Sequence, residues 1–393
     1  MRTLIVSDLH LGSNSRSDLL RGAGLRSVLL DAVADADRVV LLGDVLELRH
    51  GPLRDALAAA RPFFSELGQA LAGRELVITA GNHDHALVEP WLAHRGEEDE
   101  PPPLGPEQLL DPAQASPALA RIAGWASPAS VRVAYPGLWL RPDVYATHGH
   151  FLDCHLTIPT LERLSVGAMS RLLGRPASTF ASVGDYEAMG APVFAWRDAV
   201  ARDTHTGAAL NGMATVSAWR ALGGARARGH GTSNGSAAAA ARNPTGIARR
   251  LKLELRRRAI VGAFPLAIAA LNRAGLGPLR ADISAPELRR AGLRAMGEVA
   301  ARLDLGDAYV VFGHTHRVGP LPGDDPGEWR GRGGARLVNA GSWTYASIFL
   351  TATPGESPYW PGTCVIVEDS GPPVIERLLQ DRTHAQLAPS PAG

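Results

Sequence analysis

A run of aliphatic residues, Val39–Leu42, ends in Gly43 and Asp44. Such a run is typical of a strand that is buried on both faces of a sheet. Glycine lets the chain turn tightly after the strand, so the Asp44 carboxylate lies at the strand's carboxyl end. Four further stretches repeat this order of an apolar strand followed by Asp, Asn or His. Because a carboxylate has two oxygens, Asp44 could bridge two metal ions whose remaining ligands come from the other stretches.

The other stretches place nitrogen and oxygen ligands directly after predicted strands. Strand Thr3–Val6 precedes Asp8 and His10, whose side chains point the same way because side chains alternate along an extended segment. His314 and His316 repeat that spacing after a later strand. The candidate ligands are therefore Asp8, His10, Asp44, Asn82, His148, His314 and His316. Oxygen and nitrogen ligands without thiolate suit two divalent ions such as Mn, Fe or Zn, and we expect Mn.

These stretches resemble the motifs of the calcineurin-like metallophosphoesterases. They follow the order of that family: Asp8-Leu9-His10, Gly43-Asp44, Gly81-Asn82-His83-Asp84, His148-Gly149-His150 and Gly313-His314-Thr315-His316. The resemblance covers about residues 1–150 and 305–370. It is nearest to the UDP-2,3-diacylglucosamine hydrolase branch, with two departures. That branch usually has Arg where His83 stands, and its members are considerably shorter than this chain.

The resemblance implies a role for each motif residue. The first metal would be held by Asp8, His10 and His316, and the second by Asn82, His148 and His314. Asp44 would bridge the two ions. His83 would protonate the leaving oxygen as general acid, and Glu47 would keep that histidine protonated and oriented. The implied reaction is in-line attack on phosphorus by a hydroxide that bridges the ions.

The resemblance also implies an α+β fold, a β-sandwich of two mixed sheets flanked by helices in four α/β/β/α layers. Residues 1–150 and 306–380 would form this catalytic domain. Residues 151–305 lack the strand-and-ligand pattern and predict a mainly helical insertion, which we expect to cap the site. Within the insertion, residues 223–246 are rich in Ala, Gly, Ser and Arg, a composition typical of a flexible linker.

Three other stretches carry weaker predictions. Residues 249–258 contain six basic residues against one glutamate, and residues 259–271 are almost wholly apolar. Together, residues 249–271 fit either a buried helix pair or a cap that contacts lipid at a membrane surface. Residues 95–117 are acidic and rich in proline, which is typical of a solvated loop. We also expect a strand over residues 347–351 and a helix that is interrupted at Pro62.

Composition excludes several classes of protein. The net charge of +1 gives no strong signal for nucleic acid or for a polyanionic partner. Cys154 and Cys364 cannot form a disulfide framework, which fits a reducing cytoplasm. No apolar run reaches the ~18 residues of a transmembrane helix, and the first strand is too short for the apolar core of a signal peptide. We expect a cytoplasmic protein that touches at most the inner face of the membrane, with no partner protein implied.

The sequence thus predicts a metal-dependent hydrolase of a phosphoester or pyrophosphate bond. Its substrate would be a phosphorylated small molecule, or a lipid- or nucleotide-linked phosphate. A nuclease or cyclic-nucleotide phosphodiesterase is the alternative, and it would favour a basic groove beside the site. A non-catalytic scaffold on the same fold would normally have lost ligands, and none is missing here.

Overall fold

The computed structural model describes residues 1–97, 99–202 and 264–389, and ten strands within these ranges form a mixed sheet. The strands are β1 (Thr3–Val6), β2 (Arg38–Leu42), β3 (Glu75–Thr79), β4 (Glu107–Leu110), β5 (Ser130–Arg141), β6 (Val144–Thr147), β7 (Tyr309–Phe312), β8 (Arg336–Asn339), β9 (Thr363–Val367) and β10 (Val374–Arg377). They lie in the order β10-β9-β1-β2-β3-β5-β6-β7-β8, and β4 pairs with β5.

The long strand β5 joins two sets of parallel strands. Its first half pairs in parallel with β3, which continues the parallel set β1, β2 and β3. Its second half pairs antiparallel with β6, which begins the parallel set β6, β7 and β8. Each of β1, β2, β3, β6 and β7 is followed by a stretch that carries candidate metal ligands. The two parallel sets therefore supply the candidate site between them.

Helices cover the sheet on its outer faces. They are α1 (Ala23–Val33), α2 (Leu53–Leu71), α3 (Glu89–Gly96), α4 (Pro112–Ala115), α5 (Pro117–Trp125), α6 (Leu161–Leu173), α7 (Val183–Arg202), α8 (Ala285–Arg302) and α9 (His384–Leu387). Helices α1, α2 and α5 share one hydrophobic cluster with β1, β2 and β3. Helices α6, α7 and α8 share another with β6, β7 and β8.

A third hydrophobic cluster lies on the inner side of the sheet. It contains Ile5 and Val40 from one parallel set together with Val144 and Val311 from the other, so the sheet curls and the two sets face each other. The α+β class and the mixed sheet agree with the sequence prediction. The predicted division into two separate sheets is not confirmed, because strand pairing runs without a break from β10 to β8.

Three local predictions need correction. Residues 347–351 do not form a strand, since Ser347–Phe349 is a 3-10 turn. Helix α2 continues through Pro62, and the buried Phe63, Phe64 and Leu67 beside it hold that helix in the core. Packing of an apolar face outweighs the one hydrogen bond that proline removes. The stretch 95–117 is not only loop, because it includes β4 and α4.

The described parts of the insertion are mainly helical, with loops between the helices, such as residues 274–284. Its described elements are α6, α7, a helix over residues 264–273, and α8. The predicted linker 223–246 and residues 249–263 of the basic and apolar segment lie outside the described residues. Among the described helices, none combines the length and the apolar character needed to cross a bilayer.

Close packing of α2 against the loop after α5 gives a stability test. A Cβ at Gly68 would lie 2.1 Å from the carbonyl oxygen of Ala126, whereas a Cβ at Gly24 in α1 would meet nothing within 4 Å. We expect Gly68→Ala to destabilise the protein by roughly 1–3 kcal/mol through overpacking. Gly24→Ala should leave stability unchanged or raise it by up to about 1 kcal/mol. Thermal unfolding of both variants checks this, and equal shifts in Tm would contradict the packing described.

Candidate metal centre

The candidate ligands sit in turns with an unusual backbone. In the described residues, eight non-glycine residues have positive φ, and five of these are the candidate ligands Asp8, His10, Asp44, His314 and His316. Their φ values lie between 47° and 64°. The left-handed conformation costs roughly 1–2 kcal/mol for a residue with a Cβ, and such strain concentrates at functional sites. The fold therefore holds these side chains in place against a local conformational cost.

Asp8, His10 and His316 form the first cluster. The Nε2 atoms of His10 and His316 are 3.2 Å apart, and Asp8 Oδ1 lies 3.1 Å from His316 Nε2 and 3.8 Å from His10 Nε2. Asp8 Oδ1 is buried and makes no hydrogen bond, while Oδ2 of the same carboxylate accepts from the backbone N–H of His314 at 3.0 Å. One carboxylate oxygen is thus fixed by the backbone, and the other points at the two imidazoles.

Asn82, His148 and His314 form the second cluster. Asn82 Oδ1 lies 3.1 Å from His148 Nε2 and 3.0 Å from His314 Nδ1. The other ring nitrogens of both histidines face acceptors, the Leu42 carbonyl and Asp153, so neutral rings would turn lone pairs towards this oxygen. Either a cation or a second proton on each ring would remove that repulsion. The opposite amide orientation would turn the NH2 group to both rings and the oxygen to Arg49. The orientation with oxygen inward is the one that binds a metal.

Asp44 stands between the clusters. Its Oδ2 atom is 3.7 Å from His10 Nε2 of the first cluster and 3.4 Å from His148 Nε2 of the second. Its Oδ1 atom accepts a hydrogen bond from the backbone N–H of His83 at 2.7 Å. The close approach needs Gly81, because a Cβ there would lie 2.2 Å from Asp44 Oδ1. Asp44 Oδ2 therefore faces one histidine of each cluster.

Each candidate histidine is oriented through its other ring nitrogen. His148 Nδ1 lies 3.0 Å from the Leu42 carbonyl, and His10 Nδ1 lies 3.1 Å from Glu47 Oε2. His314 Nε2 contacts Asp153 Oδ1 at 3.0 Å, and His316 Nδ1 lies 3.3 Å from Thr344 Oγ1. A partner of this kind fixes the tautomer of a metal-binding histidine and leaves its second nitrogen free for the ion.

The electrostatics of the protein alone favour a cation at this place. Burial would raise the pKa of Asp8, but His316 and His10 lower it well below the usual range of a carboxyl. Burial would likewise lower the pKa of His148, but Asp44 raises it to about 9. Without ions, protons on the histidines balance the buried carboxylates. Divalent cations can replace those protons, because the bound ligands are neutral imidazole and carboxylate. The donor set therefore fits two divalent ions.

Side chains that could each offer one metal-ligand atom form three groups in the described residues. One is the first cluster, one joins Asp44 to His148 and His314 of the second cluster, and one joins His10, Asp44 and His83. His83 Nε2 lies 4.0 Å from Asp44 Oδ2. The predicted role of His83 as an acid outside the metal shell is not tested by this geometry and stays a prediction.

Glu47 contacts two histidines. Its carboxylate oxygens lie 2.9 and 3.0 Å from His83 Nδ1, which is the predicted contact, and Oε2 also lies 3.1 Å from His10 Nδ1. Burial and the guanidinium of Arg49 lower the pKa of His83 to about 4, against the opposing effect of Glu47. In the protein alone, His83 is therefore neutral at pH 7 and donates Nδ1–H to Glu47. As an acid it would need a second proton on Nε2, which an anionic substrate would favour.

Sequence reasoning did not assign several residues around the centre. Asp153 orients His314, and Arg49 donates to the backbone carbonyl of Asn82 at 2.7 Å. Arg49 also lies 3.8 Å from Glu162 of α6, whose carboxylate accepts from Arg197 of α7 at 2.7 Å. Asp153 could have been found from its position directly after a ligand motif. The contact between Arg49 and Glu162 has no local signal, because 113 positions separate the two residues.

The comparison with known families agrees with this geometry. Residues 1–173 match the family described as calcineurin-like phosphoesterase, which supports assignment of this part of the chain to that superfamily. The match includes the first four ligand stretches and ends before His314 and His316. A search of curated proteins finds no match to the chain.

Backbone strain at the ligands can be measured without metal. His316 has a φ of 59°, a left-handed backbone conformation that is strained for a residue with a Cβ. Glycine at this position would relieve that backbone strain, whereas alanine would not. Both variants remove the imidazole. We expect metal-free His316→Gly to be more stable than His316→Ala by about 1 kcal/mol, read from thermal unfolding. Thr315 is the control, because its φ is not positive and glycine there should be less stable than alanine. The same ranking at both positions would refute stored strain at His316.

Proposed function

We propose that this chain is a metal-dependent phosphoesterase that hydrolyses a phosphoester or pyrophosphate bond. One observation carries the proposal: Asp44 Oδ2 lies between two groups of inward-facing ligand atoms, 3.7 Å from His10 Nε2 and 3.4 Å from His148 Nε2. The calcineurin-like phosphoesterase match over residues 1–173 implies the same class of hydrolase. When bound, two divalent ions would supply an activated water and neutralise charge on the phosphoryl group.

The ligand assignment we propose follows the two clusters. Asp8, His10 and His316 would hold one ion. Asn82, His148 and His314 would hold the other, and Asp44 would be shared. Carboxylate, amide and imidazole ligands without thiolate suit Mn, Fe or Zn. Of these three metals we expect Mn.

The chain's own residues would position the phosphoryl group. His83 is exposed on about a quarter of its side chain, more than His10 or Asp44, so it lies where substrate can approach. Glu47 fixes its ring through Nδ1 and leaves Nε2 directed towards Asp44. We propose that the negative charge of a bound substrate raises the pKa of His83, so that Nε2 takes up a proton from solvent. His83 would then pass this proton to the leaving oxygen as its bond to phosphorus breaks.

We further propose that α6 and α7 cap the site and contribute to substrate choice. Their contacts with the ligand loops support this: Glu187 of α7 lies 3.1 Å from His85 Nε2, three positions after Asn82. Glu162 of α6 approaches Arg49, which holds the Asn82 backbone. We favour a lipid- or nucleotide-linked phosphate as the substrate class. Helices beside the metal centre would add surface that can bind the organic part of such a substrate.

Activity of metal-loaded protein tests the class. We expect Mn-loaded protein to cleave a nitrophenyl phosphodiester or a UDP-sugar pyrophosphate, with activity lost in EDTA and restored by Mn. The test panel should also contain cyclic nucleotides and single-stranded DNA, which report on the alternative functions. Asp44→Asn is the inactive control. Activity that survives EDTA, or no activity on any member of the panel with both ions bound, would contradict the proposed class.

Leaving groups of different basicity test His83. A positioned general acid contributes roughly 10²–10⁴-fold, mostly where the leaving oxygen is basic. His83→Ala should therefore slow hydrolysis of an alkyl phosphodiester far more than that of a nitrophenyl phosphodiester, with unchanged metal content. Glu47→Gln should show a milder bias together with weaker metal binding, since Glu47 also orients His10. Loss of metal from His83→Ala would instead make this residue a ligand.

A further inference from the structure

A groove with about 620 Å³ of space opens on the cap side of the candidate metal centre. Its lining comes from α6, from α8, from the start of the insertion and from three short segments, 176–178, 275–278 and 330–332. Cys154 lines this groove and also the small cavity that contains His150. The neighbouring residue, Asp153, contacts His314 of the candidate centre. The groove is thus a separate opening that lies close to the site.

Positive charge is concentrated in the groove. Five arginines and one glutamate line it: Arg163, Arg294, Arg302, Arg330, Arg332 and Glu298. The Glu298 carboxylate contacts Arg302 at 2.6 Å and Arg332 at 3.6 Å, so two guanidiniums share one charge. Because the whole chain carries a net charge of only +1, folding has gathered cations at this place from distant parts of the sequence.

The acidic residue behind the groove is shared as well. Glu287 contacts Arg294 at 2.5 Å, and it also lies 3.3 Å from both Arg280 and Arg290. Arg290 also lies 3.9 Å from Glu328, but that carboxylate is shared with Arg289 at 2.7 Å, so the acids here do not neutralise every guanidinium. An excess of positive charge therefore remains along this face of α8, and an anion in the groove would reduce it.

Two arginines build the walls and two face solvent. Arg163 donates to the Leu156 and Gly277 carbonyls, and Arg302 donates to the Ser178 carbonyl, so these side chains hold the walls together. Arg332 has an 85% exposed side chain, and Arg330 is exposed too. Among the described residues, the Arg332 side chain is held only by its 3.6 Å contact with Glu298, a carboxylate that it shares with Arg302, so an anion in the groove could compete for it.

Other lining groups suit the rest of an organic ligand. Thr157 Oγ1 is buried and makes no hydrogen bond within the described residues. Leu156, Pro176 and Pro278 give apolar surface beside the arginines. His155 also lines the groove, and burial together with Arg302 lowers its pKa to about 4, so it is neutral at pH 7 and adds no charge of its own.

We propose that this groove binds a phosphate-bearing organic anion of about nucleotide size. Arginine is the side chain best matched to phosphate, because its planar guanidinium donates two parallel hydrogen bonds. The space of about 620 Å³ falls within the range of small-molecule sites. The proposal goes beyond the hydrolytic function, because it assigns a second anion site in which arginines, and no metal ion, hold the ligand.

Calorimetric titration of the full chain with ADP tests the proposal, at one fixed ionic strength. The titration is run on Mn-loaded protein and on protein in EDTA, where the metal centre cannot hold phosphate. We expect binding in both states. Replacing both exposed arginines, Arg330→Gln with Arg332→Gln, should weaken binding at least about tenfold, since charge-assisted hydrogen bonds are lost. Asp44→Asn should leave binding in EDTA unchanged, which separates this proposal from the hydrolytic one.

A matched surface change controls for net charge. Arg54 has an 84% exposed side chain on α2 and lies outside the groove. Arg54→Gln should leave the Kd for ADP unchanged. Equal weakening by Arg54→Gln and Arg332→Gln would overturn the proposal, because it would show only general electrostatic attraction. Binding of ADP to the Mn-loaded protein but not to the protein in EDTA would overturn the proposal too. So would binding of ADP that is no tighter than binding of sulfate.

Further titrations identify the source of the phosphate. Tight binding of vesicles that contain phosphatidic acid, weakened by the same double variant, would support the proposal with a lipid headgroup as ligand. Tight binding of ADP without binding to such vesicles would support it with a soluble nucleotide. A single-stranded oligonucleotide that binds far more tightly than ADP, through the same arginines, would overturn the small-ligand assignment in favour of a nucleic acid.

Discussion

The position of one carboxylate oxygen, Asp44 Oδ2, decides the architecture of the candidate centre. It must approach His10 and His148, which follow strands on opposite halves of the curled sheet. This approach requires the two parallel sets of strands to face each other across the inner hydrophobic cluster. It also requires glycine at position 81, where a Cβ would collide with the carboxylate. The fold thus holds the Asp44 carboxylate between the two clusters.

That support works against two local costs. Left-handed backbone at five candidate ligands costs on the order of 1 kcal/mol each, and the carboxylates of Asp8 and Asp44 are almost wholly buried. The strands β1 and β2, whose residues are almost all buried, lead into the site and fix the turns that carry Asp8 and Asp44. Burial of aliphatic side chains, each worth about 1.5–3 kcal/mol, is the main opposing term. Bound cations would relieve the electrostatic part of the cost and leave the backbone part.

Helices α6 and α7 are tied to the ligand loops through polar contacts. His85 meets Glu187, whose other oxygen accepts from the Tyr135 hydroxyl, and Arg49 links the Asn82 backbone to Glu162. Such buried polar groups are costly when left unpaired. Movement of α6 or α7 would therefore disturb the loop that carries Asn82.

The clustering of the candidate ligands could be predicted from the sequence because the pattern is local: an apolar strand, a turn, then a donor. It predicted less well where distant segments meet. The arginine groove draws on residues 163, 294, 302, 330 and 332, and none of these forms a dense cluster in the sequence. The continuous pairing through β5 was also missed, because the register of a strand that serves two neighbours depends on both of them. The stretch 347–351 has an apolar pattern, but it pairs with no strand in the part of the chain that the structure describes.

Metal content per chain, measured by elemental analysis of purified protein, tests the central claim most directly. The account predicts about two divalent ions in the wild type. It predicts loss of both from Asp44→Asn, because the shared oxygen serves both ions, and retention of about one in His10→Ala. Two ions retained by Asp44→Asn, or fewer than about one ion in the wild type after incubation with Mn, would contradict a bridging Asp44.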